Sequence, residues 1–130
     1  MLPKTATRVE ESTLQVVNAR NRRNAMERLG RYAELSADEI RVRLSELDQE
    51  WDIERALETN ASAAVLLSLA LGKFSDKRFY LLTAAVGAFL MQHALQGWCP
   101  PLPVLRRLGF RTSREIEDER RSLLNLLAAR

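Results

Sequence analysis

Ala61-Ser-Ala-Ala-Val-Leu-Leu-Ser-Leu-Ala-Leu-Gly72, the polar turn Lys73-Phe-Ser-Asp-Lys-Arg78, and a second apolar run from Phe79 to Leu95 closed by Gly97-Trp-Cys-Pro-Pro101 decide the fold. Both apolar runs are hydrophobic all round instead of alternating, and no Gly or Pro falls between Ala37 and Gly72. Runs of this length without strand-bounding turn residues read as helices. Two apolar helices joined by a tight polar turn make a helical hairpin.

Upstream, Ser36-Ala-Asp-Glu39 has the spacing of a capping box, in which the hydroxyl takes one free amide and the Glu side chain reaches back for another. Ile40, Leu44, Leu47 and Trp51 follow at helical spacing. The pattern predicts one helix from Ala37 to Leu71, roughly 50 Å long. Before it, Leu14, Val17, Ala25, Leu29 and Tyr32 share a face of a more polar helix from Thr13 to Ala33. Downstream, Pro103 to Leu108 can form a short helix with Pro in its first turn and Gly109 just past its end. Thr112-Ser-Arg-Glu115 is a second capping box, opening a helix to about Ala128 with Ile116, Leu123 and Leu127 on one side. The chain of 130 residues is one domain's length. The expectation is an all-α fold with a central apolar hairpin, a long charged N-terminal helical arm and a C-terminal amphipathic helix. The arm occupies 13–35, the long helix and hairpin 37–98, and the Pro-rich turn and last helix 99–130.

Charge is distributed unevenly. Five arginines (Arg20, Arg22, Arg23, Arg28, Arg31) face one glutamate over 20–31, a net of +4. Eight acids face three arginines over 38–58, a net of −5. Nucleic acid would require a stripe of one sign, so no nucleic-acid partner is expected. The two stretches are instead expected to dock antiparallel on each other, within one chain across the Leu35-Ser36 break or across a dimer. Glu46, Glu50, Glu54 and Glu58 lie four apart, a spacing that lines one side of a continuous helix and destabilises it unless basic partners compensate.

Candidate chemistry is sparse. One His and one Cys exclude a zinc site built from those two residue types within the chain, and a single cysteine fits a reducing compartment. There is no phosphate-cradling Gly loop and no Ser or Cys spacing that suggests a triad, so no metal, cofactor or catalytic residue is expected and the chain reads as non-enzymatic. His93, between Gln92 and Gln96, is read as an interior imidazole satisfied by one of those amides or by a backbone carbonyl, with titration near neutral pH as its functional alternative. Cys99 is a packed small residue or a functional thiol. Ala64, Ser68 and Gly72 on the first apolar helix, and Thr83 with Gly87 and Ala84 with Ala88 on the second, fall every fourth position. Such ridges let two helix backbones approach closely, as in lipid.

The hairpin also carries membrane signals. Met1 to Arg8 has no apolar core of a secretory signal. The first apolar run is 12 residues, short for a span, and the mean hydropathy of the best windows is marginal. Trp98 would mark a headgroup interface, and Arg106, Arg107, Arg111 and Arg114 follow on the same side as Arg55. Lys73, Lys77 and Arg78 in the turn depart from that asymmetry.

Asp52-Ile-Glu-Arg55 ahead of the first apolar run, and Gly97-Trp-Cys-Pro-Pro-Leu-Pro-Val-Leu-Arg-Arg-Leu-Gly109 after the second, resemble the YgaP-like two-helix transmembrane domain of bacteria. That family has a polar Glu-Arg lead-in, a short apolar hairpin, then Gly-x-Cys-Pro and Leu-Gly, and the resemblance covers about residues 50–112. It implies a small inner-membrane hairpin, often dimeric, sometimes fused to a rhodanese sulfurtransferase. The chain has Pro-Leu-Pro where the family more often has Leu-Tyr, and its charged front helix is additional. No rhodanese is present: residues 1–60 lack an α/β pattern, and Arg106 stands one position too far from Cys99 for the Cys-x5-Arg anion loop. The expectation is a membrane-associated assembly or accessory protein at the bacterial inner membrane, with the cytoplasm as the alternative address. Its partners would be lipid and a second copy or another membrane protein. A thiol- or sulfur-handling protein using Cys99 and a soluble oligomerising bundle are the alternatives.

Overall fold

The computed structural model describes residues 2–130 and contains helices only, apart from one isolated bridge between Asp52 and Arg111. The helices are α1 (Arg8–Glu11), α2 (Gln15–Tyr32), α3 (Ala37–Gln49), α4 (Ile53–Phe74), α5 (Phe79–Gln96), α6 (Leu102–Arg107) and α7 (Ser113–Ala128). The fold is all-α, as expected.

Both capping boxes form. Glu39 N donates to Ser36 Oγ at 3.3 Å while Ser36 N donates to Glu39 Oε2 at 2.8 Å, and Thr112 with Glu115 repeats the exchange at the start of α7. The single helix expected from Ala37 to Leu71 does not form. It breaks at Glu50-Trp51-Asp52, where Glu50 turns extended and Asp52 caps α4 by accepting from Arg55 N at 2.8 Å. The cause lies elsewhere in the chain. Arg111 in the α6–α7 connection accepts at its carbonyl from Ile53 N at 2.8 Å, and its guanidinium donates to the Glu50 carboxylate at 3.1 Å. Tertiary bonds thereby replace the helical bonds that a straight path would have kept. The break also removes the expected four-glutamate face, since Glu46 and Glu50 fall before it and Glu54 and Glu58 after it.

Two apolar clusters follow. α7 packs on both α2 and α3, burying Tyr32, Ile40, Leu47, Ile116 and Leu123. The second cluster joins α1, the base of α4, and α6 through Val9, Ile53, Ala56, Leu57, Leu102 and Leu105, with Cys99 among them. Beyond that base, α4 and α5 pack on each other as the expected hairpin.

Within the chain, the charge pairing differs from expectation. Among the described residues no ion pair joins 20–31 to 38–58. Arg28 reaches Glu119 of α7 at 3.1 Å, and Arg43 and Arg111 converge on the same carboxylate at 3.0 and 3.2 Å. Glu119 is buried, so three cations compensate one desolvated anion. Burial raises its pKa, yet Arg111, Arg28 and Arg43 together outweigh burial and lower it below the usual carboxylate value. Acids of the 38–58 stretch find partners mainly outside the arm: Asp48 with Arg120, Glu50 with Arg111, and Glu54 with Arg8.

Candidate functional site

The outer surface of the hairpin is the first unusual feature. Leu66 is 68% exposed, Leu81 73% and Phe74 82%, and Leu67, Leu82, Phe89, Leu90 and Met91 are exposed as well. Apolar side chains this concentrated on both helices of a projecting element mark an interaction surface. Its interior explains how the helices meet. Ser68 is fully buried, its hydroxyl 2.5 Å from that of Thr83, and a Cβ added at Gly72 would meet the Tyr80 ring at 2.6 Å. Ala64 is half-buried one turn before Ser68. The small-residue ridge of α4 therefore faces α5. On α5 only Thr83 shares that role: Gly87, Ala84 and Ala88 are exposed, and a Cβ at Gly87 would meet nothing within 4 Å.

Polar groups gather at the hairpin base, below the exposed apolar stretches 61–72 and 79–91. His93, near the end of α5, is buried and pairs through Nε2 with Glu54 Oε2 at 2.9 Å; the other oxygen of Glu54 accepts from Arg8 at 3.1 Å. Among the described residues the ring's Nδ1 has no hydrogen-bond partner; the neighbouring Cys99 thiol and Glu54 together outweigh burial and raise the His93 pKa to about 9. His93 in turn is the main cause of the lowered Glu54 pKa. Neither Gln92 nor Gln96 donates to His93 among the described residues: the Gln92 side chain is half-buried, that of Gln96 exposed, and the Gln96 carbonyl accepts from Ser12 Oγ at 2.9 Å. Expectation gave the imidazole a neighbouring amide or a backbone carbonyl; its partner is a carboxylate 39 residues upstream on α4.

Gly97 ends α5 with φ +81, the left-handed conformation that glycine adopts without penalty. A Cβ there would strike the Arg8 carbonyl oxygen, so Gly97 also lets α1 lie across the base. Among the described residues no group of three His, Cys, Asp or Glu side chains is placed to hold a metal, and none of the helices is long and apolar enough to cross a membrane.

Residues 52–115 match the family model described as inner membrane protein YgaP-like, transmembrane domain. This segment is similar to that family. The YgaP-like segment begins at the Asp52 cap of α4, runs through the hairpin and α6, and ends in the capping box of α7. It thus begins at the last residue of the break in the expected long helix and leaves α1, α2, α3 and most of α7 outside. No curated protein and no solved structure matches the chain.

Proposed function

We propose that the chain is a non-enzymatic membrane-associated protein, acting as an assembly or accessory subunit, whose YgaP-like hairpin inserts in the bacterial inner membrane and pairs there with a second copy or another membrane protein. The observation that carries the reading is the outward-facing apolar surface of α4 and α5, with Leu66, Leu81 and Phe89 all exposed. The match of residues 52–115 to the family model supports the membrane location. Dimensions set how the hairpin is accommodated. The apolar stretches of 12 and 13 residues rise about 18 and 20 Å, against a hydrocarbon core of about 30 Å. Local thinning, snorkelling of Lys73, Lys77 and Arg78, and helix association are the usual responses to such a mismatch. The exposed Ala84, Gly87 and Ala88 side of α5 suits close contact with another helix.

Cell fractionation followed by carbonate washing of membranes tests this reading. Retention in the carbonate-washed pellet, with release when Leu66 and Leu81 are both changed to Asp, is the expected result. Recovery of the unaltered chain in the soluble fraction would overturn it.

A second reading has one observation of its own. Cys99 is a free, buried thiol near His93, whose Nε2 pairs with the Glu54 carboxylate. Alkylation of Cys99 in the folded chain at neutral pH, faster than in the unfolded chain and slowed by His93→Gln, would support it. Labelling no faster than the unfolded chain would remove it.

A further inference from the structure

A cleft of about 200 Å³ opens beside the end of α5, where the hairpin joins the helical bundle. Its apolar lining comes from Leu14, Val17, Trp98, Leu102 and Pro103. Trp98 follows α5 directly, and Ser12 on the cleft wall donates to the Gln96 carbonyl, so the cleft continues from the hairpin base. Arg107 belongs to the lining, and Arg20, three residues beyond Val17 on α2, donates from its guanidinium to the Arg107 carbonyl at 2.8 Å, which places the Arg20 side chain against the end of α6 next to the cleft. Both side chains are exposed, and neither forms an ion pair among the described residues. Arg106, behind them, is fully buried and already spent on Glu115 and Asn18. Carboxylates on the flanking elements are engaged elsewhere: Glu115 with Arg106, Glu10 with Thr112, and Glu11 with Thr7.

We infer that this cleft binds one anionic glycerophospholipid of the surrounding bilayer, its phosphate between Arg20 and Arg107 and the first carbons of an acyl chain against Trp98 and Leu14. The inference rests on the membrane reading above and adds a named lipid class and site to it. The charge at the rim selects the occupant. Both headgroup classes carry a phosphodiester, whose geometry arginine suits, but a zwitterionic one adds an ammonium that the two guanidinium groups repel, whereas an anionic one adds no cation. The apolar lining distinguishes a lipid from free phosphate, which would gain nothing from Leu14, Val17 and Leu102. Trp98 at the mouth has the amphipathic ring typical of the headgroup level.

The test uses the full chain carrying Trp51→Phe, so that Trp98 is the only tryptophan. Flotation with vesicles of phosphatidylcholine alone measures hairpin insertion. Quenching of Trp98 is then compared in mixed vesicles in which either the phosphatidylglycerol or the phosphatidylcholine carries brominated chains. Quenching that favours brominated phosphatidylglycerol is expected, with the preference falling about fivefold for each of Arg20→Gln and Arg107→Gln. The same chain with Arg22→Gln and Arg31→Gln should keep it, because neither residue lines the cleft or makes the contact with α6 that Arg20 makes. Inorganic phosphate without vesicles should leave Trp98 emission unchanged. Flotation without lipid preference, a preference that survives the Arg20 and Arg107 substitutions, or a response to phosphate alone would overturn the site while leaving the membrane reading intact. Failure to float would overturn the membrane reading itself, and this site with it.

Discussion

His93 Nε2 and Glu54 Oε2 stand 2.9 Å apart, joining the last turn of α5 to the first turn of α4 and so closing the hairpin at its base. Arg8 holds the other oxygen of Glu54, which extends the clasp to α1. The ring is buried while the hairpin beyond it is exposed. The clasp therefore sits between the packed bundle and the apolar projection, where it fixes the angle at which the hairpin leaves.

Its pH dependence follows from His93. The folded-state pKa is raised to about 9 from an ordinary value of 6.5. Stabilisation from the charged ring is fully present below about 6.5 and is lost as pH rises through 9. At about 1.4 kcal/mol per unit, the contribution is on the order of 3 kcal/mol. Denaturant midpoints of the unaltered chain should fall across that window, and His93→Gln should flatten the decline. An equal decline in both proteins would remove His93 as its source.

Glu119→Gln should be strongly destabilising, by about 3–5 kcal/mol, because Arg28, Arg43 and Arg111 would lose the charge that compensates their partial burial. Urea unfolding measures the loss, and amide exchange should rise in α2 and α3 before it rises in the hairpin. Replacing exposed Glu117 in the same helix should change stability by less than about 1 kcal/mol.

Gly97→Ala should cost about 1–2 kcal/mol for the left-handed backbone alone, and more because its Cβ would strike the Arg8 carbonyl oxygen. The signature is local: amide exchange should accelerate at residues 8–13, where α1 is pushed off the base. Gly87→Ala has open space and an ordinary helical backbone, so it should be neutral or slightly stabilising.

What the sequence disclosed was mostly local. Both capping boxes could be read because the partners lie three residues apart, and the hairpin because its apolar runs flank a polar turn. The break at Trp51 could not: Asp52-Ile-Glu-Arg55 has a capping acid but no Glu at the third helical position, and the bond that decides it comes from Arg111. Basic and acidic runs suggested pairing, yet composition carries no information about α7 coming between them and offering Glu119 to both sides. His93 stood out as the single histidine, but its partner at 54 depends on how α4 and α5 align. The small residues of α4 were correctly placed inward by period. On α5 the same period was satisfied by two faces, and packing chose the one with Thr83, leaving Gly87 outside.

The most direct measurement attaches an environment-sensitive fluorophore to single cysteines in a Cys99→Ser chain, at Leu66, Leu81 and, as a reference on α3, Val42, all exposed positions. On addition of phosphatidylglycerol-containing vesicles, emission should shift to the blue at 66 and 81 and stay unchanged at 42. No shift at the hairpin positions, or an equal shift at all three, would contradict insertion of the hairpin in the membrane.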